Sequence, residues 1–375
     1  MPKILHIVGA RPNFMKAAPV IRAVAERNSA VQVLIHTGQH YDADMSEIFF
    51  RQLDLPEPDV NLGVGSGSHA FQTAQIMMHL EEVVLREKPD LVLVYGDVNS
   101  TMAGAVVCSK LLIPVGHVEA GLRSNDRTMP EEINRLLTDQ VSDLLFTPSA
   151  DADDNLLREG LAKERIHRVG NVMIDTLVRL RERAAGDGRK TAVAGAHALP
   201  PGLLEADYGL ATLHRPSNVD RPVALRRILG TLVKIGRDFP IVFPIHPRTR
   251  SRMAEWGLET PGGGVHLIGP LGYLEFLALQ RDARFVVTDS GGIQEETTFL
   301  GVPCLTLREN TERPVTVTVG TNILVGQDMD RLEAEVMKIK RGQGKRGRIP
   351  ELWDGKASER IAAALAGTGG GPSDR

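Results

Sequence analysis

Three carboxylates sit where apolar runs stop. Asp97 ends a Val/Leu-rich run in YGDVNST (95–101), and Glu119 interrupts a strand-like end in HVEAGLRSNDRTMPEEINR (117–135). Glu131 lies in the helix-like stretch that Pro130 opens in the same segment. A carboxylate at the C-terminal edge of a parallel strand faces a ligand crevice. Asp97 also suits an N-cap, here for a helix beginning near Ser100. Glu119 is unfavourable in an apolar strand end unless it is paired or exposed in a site. Glu131 and Arg135 are four residues apart, on one helix face, where a pair would hold the acid ionised. Proline with acids beside it is equally ordinary helix-start chemistry.

Cations and glycine turns follow other strand-like runs. GARPNFMK (9–16) puts Arg11 and Lys16 near a helix start, an arrangement that suits phosphate but also fits an ordinary turn with two surface cations. It is neither GxGxxG nor GxxxxGK[ST], which disfavours a dinucleotide site or a P-loop. In LATLHRPSN (210–218), His214 suits a phosphate ligand, an acid/base or a satisfied core histidine, and Arg215 follows it. His246 and Arg248 repeat the arrangement one strand later, as a basic rim. In TDSGGIQEETTFLGVP (288–303), Ser290, Gly291 and Gly292 form a turn before a helix, a good diphosphate cradle. Glu295 or Glu296, one turn on, suits ribose hydroxyls. Glu312-Arg313-Pro314 reads as a polar loop that closes over a ligand.

The elements that must position these groups alternate as βαβ units. Strand runs cover 3–9, 31–38, 90–97, 114–121, 143–149 and 166–172, then 208–214, 240–247, 265–271, 283–290, 302–307 and 321–326. Several are nearly continuous in Val, Leu and Ile, as strands buried on both faces of a parallel sheet are. Helical patterns lie between them, as in MKAAPVIRAVAERN and AFQTAQIMMHLEEVVLREKP, and later in MDRLEAEVMKIKRG and ASERIAAALAG. Residues 184–203, rich in Ala, Gly and Pro, read as a variable loop near a domain boundary, and 368–375 as a frayed tail. The 375 residues suggest two α/β domains. With 44 Lys+Arg against 47 Asp+Glu there is no basic field to hold nucleic acid, and 4% aromatics leaves few stacking platforms. Cys108 and Cys304 form no CxxC pair, which argues against a structural zinc or a disulfide framework. The N-terminal apolar run is too short for a signal peptide, and no run approaches the roughly 20 residues of a membrane span. The expectation is a soluble, cytoplasmic protein.

GARPNFMK, GDVNST, GHVEAGLRS, MPEEINR, TDSGGIQEE and TERP, in this order and spacing over residues 3–330, resemble the non-hydrolysing UDP-N-acetylglucosamine 2-epimerases. The resemblance implies a glycosyltransferase-B-like α/β fold, two Rossmann-like domains with parallel sheets facing a cleft, and a homodimer. The domains would be 1–175, with the carboxylates, and 176–355, which binds UDP, with a C-terminal helix over 356–366 crossing back. It further implies that Asp97, Glu119, Glu131 and His214 are catalytic and that Arg135 accompanies them. Arg11, Ser290 and Gly291 would hold the UDP phosphates with Lys16 and Gly292, Glu296 the ribose, Phe276 the uracil, and Arg313 is the family's ERP arginine. No cofactor or metal is implied, and the only partners are the UDP-sugar and a second copy, with no nucleic acid or membrane.

Departures from the family pattern are Arg11-Pro12-Asn13-Phe14-Met15-Lys16 for RPEAIK, His214-Arg215-Pro216-Ser217-Asn218 for HRREN, and Glu312-Arg313-Pro314-Val315-Thr316 for ERPEA. Gln39-His40-Tyr41 stands where the allosteric pocket has QHR, which argues against the usual activation by substrate. The variants look like a subgroup that includes epimerases of modified UDP-sugars, such as diacetamido uronic acids. The implied chemistry eliminates UDP across carbons 1 and 2 to 2-acetamidoglucal, then re-adds it with a proton on the other face. A leaky site would hydrolyse instead. A glycosyltransferase and a silent nucleotide-sugar sensor are the rival readings.

Overall fold

A computed structural model describes residues 1–39, 50, 52–186, 188–258 and 261–367. The expectations on His40, Tyr41 and the tail 368–375 lie outside the described residues. Contacts divide the chain into two units, Met1–Val178 with the segment from Glu351, and Arg179–Pro350.

The first unit is built on β1 (Lys3–Val8), β2 (Val31–His36), β3 (Val60–Asn61), β4 (Leu91–Tyr95), β5 (Val115–Val118), β6 (Leu144–Thr147) and β7 (Ile166–Arg168). All pair in parallel, in the order β3-β2-β1-β4-β5-β6-β7. The central strands are sealed on both faces, with Val92, Leu93, Val94 and Tyr95 wholly buried. That explains their unbroken apolar runs. The edge strand β3 has only two residues, too few for a sequence pattern to show. Helices α1 (Arg11–Glu26), α2 (His69–Glu87), α3 (Asn99–Lys110), α4 (Pro130–Val141) and α5 (Ala150–Arg158) lie between the strands, and α6 (Val172–Ala184) follows the last of them and runs past Val178. Helix α1 starts at Arg11, four residues before the expected MKAAPV run, so Arg11 and Lys16 both ride on it.

The second unit includes α7 (Arg189–Ala196), β8 (Gly209–Thr212), α8 (Pro216–Val219), α9 (Pro222–Gly236), β9 (Ile241–Pro244), α10 (Pro247–Glu255), β10 (Val265–Ile268), α11 (Tyr273–Asp282), β11 (Phe285–Thr288), α12 (Gly291–Leu300), β12 (Cys304–Thr306), α13 (Pro314–Thr318), β13 (Asn322–Leu324) and α14 (Met329–Lys340). Its strand order is β10-β9-β8-β11-β12-β13, again parallel. Helix α7 corrects the expected loop over 184–203. Alanine is the strongest helix former, and Val193 anchors the turn in a core with Leu199, Leu203, Leu204 and Leu210.

Each sheet reverses its strand order once, between β1 and β4 and between β8 and β11. At such a switch point the connections diverge to opposite faces and open a crevice at the strand C-termini. Asp97 follows β4 in one unit; His214 and Ser290 follow β8 and β11 in the other. Near its end the chain rejoins the first unit. Helix α15 (Ala357–Gly367) packs against α1, and the Asp175 carboxylate accepts from Ala357 N at 3.0 Å and Ser358 N at 2.7 Å. Trp353 is buried beside it, and its indole donates to Pro148 O at 3.0 Å.

No helix among the described residues is long and apolar enough to cross a membrane. Trp353→Ala should empty this seam and cost about 3–5 kcal/mol, read as a lower urea midpoint with an unchanged slope.

Candidate active site

In the first unit the turn after β1 is tied to the end of β4. Asn13 Oδ1 accepts from Gly9 N at 3.0 Å and Ala10 N at 3.1 Å, and its amide donates to Tyr95 O at 2.7 Å. Arg11 is exposed beside this turn. Lys16 is buried, and its ammonium pairs with the Glu119 carboxylate. The structure therefore sets Lys16 against an acid, where the sequence suggested a cation beside Arg11.

The backbone bends sharply to allow this. Glu119 has φ +75°, a left-handed conformation that costs a non-glycine residue roughly 1–3 kcal/mol. Gly96 has φ +65°, and a Cβ there would lie 2.6 Å from Lys16 Nζ and 3.2 Å from Glu119 Oε2. Only glycine leaves room for the ion pair over the turn that presents Asp97.

Asp97 does not cap α3: Val98 holds that position without a side-chain bond. Its carboxylate instead lies 2.5 Å from Arg135 Nη1. Arg135 is almost fully buried and also donates twice to Glu132 Oε2, at 3.0 Å from Nε and 2.5 Å from Nη2. This corrects the expected Glu131–Arg135 pair. The three-residue spacing turns Glu132 inward with the arginine. Burial alone would raise the Glu132 carboxyl, but the Ser124 amide and the Arg135 guanidinium outweigh it and hold it below the usual range. Glu131 stays half-buried, with no side-chain partner among the described residues.

In the second unit His214 and the Ser290–Gly292 turn share one edge. His214 Nδ1 is 3.0 Å from Asp289 Oδ1, and the histidine side chain is 48% exposed, so it is no core histidine. Asp289 is wholly buried and accepts also from His214 N, Arg215 N and Asn218 Nδ2 at 2.9–3.2 Å. Burial pushes its carboxyl up, but His214, Asn218 and Arg215 outweigh that and hold it low. The carboxylate fixes the imidazole through Nδ1 and leaves Nε2 for chemistry.

Ser290 precedes the first turn of α12, whose N–H groups suit an anion. A Cβ at Gly291 would meet Arg313 Nη1 at 2.5 Å and Glu312 Oε1 at 2.7 Å, so a side chain there would displace the Glu312–Arg313 pair. Glu312 and Arg313 are buried and ion-paired together, with Arg313 Nε 2.8 Å from Glu295 Oε1 and Arg308 Nη2 2.7 Å from Glu312 Oε2. This is a buried ionic network entering α13, not the open polar loop expected. Gly292 follows in α12, and Glu296, one turn on, accepts from Tyr273 Oη at 3.0 Å. Burial pushes the Glu296 carboxyl up to about 7. Phe276 lies three residues after Tyr273 on α11, half-buried against the core. The expected basic rim is engaged: His246 Nδ1 accepts from Arg248 N, and Arg248 pairs with Asp220. A cavity of about 520 Å³ between α7 and the start of α11 contains none of these side chains.

Sequence reasoning missed Asn13, Glu132 and Asp289. Asn13 and Asp289 gave no signal because they act through partners 82 and 75 residues away, and Glu132 because helix spacing allowed Glu131 the same arginine. Among the described residues no cluster of His, Cys, Asp and Glu is arranged to hold a metal.

The chain matches a sequence-family profile described as UDP-N-acetylglucosamine 2-epimerase over residues 22–366. It is 45% identical over 370 residues to the UDP-N-acetylglucosamine 2-epimerase of Methanocaldococcus jannaschii, covering 97% of this chain and 98% of that one. It is also 45% identical over 368 residues to the UDP-2,3-diacetamido-2,3-dideoxy-D-glucuronate 2-epimerase of Pseudomonas aeruginosa, covering 97% and 99%. The crystal structure of the M. jannaschii UDP-GlcNAc 2-epimerase in complex with UDP-GlcNAc and UDP superposes with a TM-score of 0.87 at 44% identity, over 97% of this chain and 99% of that one. The two parallel sheets thus follow the glycosyltransferase-B-like fold of these enzymes.

The raised Glu296 carboxyl has a stability consequence. Its folded form holds the proton up to about pH 7, while the unfolded carboxyl ionises near 4.5. Its contribution is therefore complete below about pH 4.5 and is lost as pH rises through 7. Glu296→Gln should remove roughly 1–3 kcal/mol of that decline, on the scale of about 1.4 kcal/mol per pKa unit. Urea unfolding at pH 5 and pH 8 reads the difference between the two proteins.

Proposed function

The chain belongs to the UDP-N-acetylglucosamine 2-epimerase family, and we propose that it interconverts UDP-N-acetylglucosamine and UDP-N-acetylmannosamine without hydrolysis. It is an isomerase of this class. The observation that carries the reading is the charged edge of the first unit, where Glu119 is paired with Lys16, Asp97 with Arg135, and Glu131 has no partner among the described residues.

The C2 hydrogen of the sugar is not acidified by a neighbouring carbonyl, so direct deprotonation is unfavourable. Elimination avoids this. A base takes the C2 proton, the C1–O bond breaks, and its electron pair leaves with UDP, giving 2-acetamidoglucal. Return of the diphosphate oxygen to C1, with a proton to the opposite face of C2, completes the inversion. Asp97, Glu119 and Glu131 are our acids and bases, since two faces need at least two proton-transfer groups. We assign the departing diphosphate to Arg11, His214 and the N–H groups of Ser290, Gly291 and Gly292, where helix-end dipoles favour developing charge. Arg313 braces that turn. Glu296 accepts from the ribose hydroxyls and Phe276 flanks the uracil.

A second reading has specific support. The relative that acts on a diacetamido glucuronate matches this chain at the same 45% identity. The modified sugar is therefore the alternative substrate.

We also propose a homodimer. Phe71, Met78 and Leu85 on α2 are seven residues apart and each more than half exposed, a stripe at coiled-coil spacing. The free, buried thiols of Cys108 and Cys304 suit a reducing, cytoplasmic setting.

Proton NMR of the protein with UDP-GlcNAc in deuterated water tests the reaction. UDP-ManNAc carrying deuterium at C2 is expected. Free ManNAc with UDP would mean hydrolysis, and turnover only of the diacetamido glucuronate would select the second reading. Asp97→Asn, Glu119→Gln and Glu131→Gln should each lower kcat by about 10²–10⁴-fold while leaving UDP affinity within a few-fold. Met78→Glu with Leu85→Glu should halve the mass seen by sedimentation equilibrium; an unchanged mass would exclude this face from the dimer.

A further inference from the structure

A buried His–Asp pair lies directly beneath the Asp97 and Glu119 turns. His117 is in the middle of β5 and wholly buried. Its Nε2 is 2.7 Å from Gly96 O, and its Nδ1 is 2.6 Å from Asp139 Oδ1 on α4. A His–Asp pair beside candidate catalytic carboxylates invites reading as a general base. The geometry excludes that role. A carbonyl oxygen only accepts, so Nε2 must carry a hydrogen and offers no lone pair to a substrate. A carboxylate also only accepts, so Nδ1 must carry a hydrogen as well.

Asp139 is built to remain a carboxylate. Arg123 Nη1 lies 2.7 Å from its Oδ2, and Gly121 N donates to the same oxygen at 3.1 Å. Arg123 is shared with Glu159 at 2.7 Å. Burial would raise the Asp139 carboxyl, yet His117 and Arg123 outweigh it and hold it below the usual range. Other charges at the turn are the Lys16–Glu119 pair, which lies against Gly96, and the Asp97–Arg135 pair.

We infer that His117 is a buried imidazolium that acts as a positioning residue, clamping the Gly96–Asp97 turn through Nε2 and the Glu119–Gly121 turn through Asp139. This rests on the site reading above. The clamp joins the two turns that carry Asp97 and Glu119. Gly96 is held from both sides, since its N–H donates to Val118 O at 3.0 Å while its carbonyl accepts from the ring. Gly121 ends the segment in which Glu119 is strained, and its N–H is fixed by Asp139. Loss of the clamp would free the two turns to shift relative to each other without touching any nucleotide contact.

Two amide substitutions separate the halves of the clamp. In His117→Gln the amide nitrogen stands near the former Nε2 and can still donate to Gly96 O. In His117→Asn it stands near Nδ1 and reaches only Asp139. We expect His117→Asn to lower kcat by about 100-fold with KM and UDP affinity nearly unchanged, the penalty of about 1 Å of misplacement. His117→Gln should recover most of kcat. Equal losses in both variants, or a change in KM alone, would overturn the assignment. ¹⁵N NMR of histidine-labelled wild type, with the His117 resonances identified by their absence in His117→Gln, should show both ring nitrogens protonated at neutral pH. A single protonated nitrogen would overturn it even if His117→Asn fails to fold. The spectrum needs no substrate, so an enzyme inert to UDP-sugars would defeat the proposed reaction and leave the protonation result standing.

Discussion

An ionised carboxylate at the end of a fully buried strand must be surrounded by opposite charge and N–H groups, or it will not stay ionised there. The first unit is arranged around this constraint. Lys16 from α1 meets Glu119, Arg135 from α4 meets Asp97 and Glu132, and Arg123 meets Asp139 and Glu159. The cations arrive from different elements, so each pair also fixes where its element lies. Deleting one partner of such a buried pair typically costs about 3–5 kcal/mol, because the other charge remains behind unpaired. The charged edge is therefore part of the folding problem as well as of the proposed chemistry.

The second unit repeats the sheet topology and solves the electrostatics differently. Its proposed anion site is a glycine turn at a helix start, with one histidine braced by a buried aspartate. Glu296 keeps its proton up to about pH 7 because burial has no cation to offset it. In the proposed reaction this contrast is useful. Proton transfer to carbon calls for carboxylates that can be charged, whereas a diphosphate is best met by N–H dipoles and cations, and the acids nearest that turn, Asp289, Glu295 and Glu312, are already committed to other partners.

The parallel sheets are legible in the sequence because strands sealed on both faces must be apolar throughout, as Val92–Tyr95 are. The turns are legible because carboxylates and glycines interrupt those runs. Pair partners are less legible. Asn13 meets Tyr95 O across 82 residues, and Asp289 meets His214 N across 75. Nothing local marks either contact. The loop expected over 184–203 fails for a related reason. Its alanines carry no periodic signal, and the burial of Val193 that settles a helix there depends on Leu210 and Leu204 in the same core. The expected Glu131–Arg135 pair used the right face rule with the wrong neighbour, since helix geometry permits both i+3 and i+4 partners.

That choice between neighbours also separates structure from chemistry on α4. Successive helix residues point about 100° apart, so Glu131 and Glu132 cannot both turn inward. Glu132 does, and it takes five donors: Ser124 N, Ser124 Oγ, Asn125 N, and two from Arg135. A carboxylate so saturated could exchange a proton only by surrendering bonds that hold the 123–126 loop and the arginine. It is a strut. Glu131, one residue earlier and without a side-chain partner among the described residues, has no such bonds to lose. The assignment of the proposed third proton-transfer group to Glu131 thus follows from what its neighbour has already been committed to.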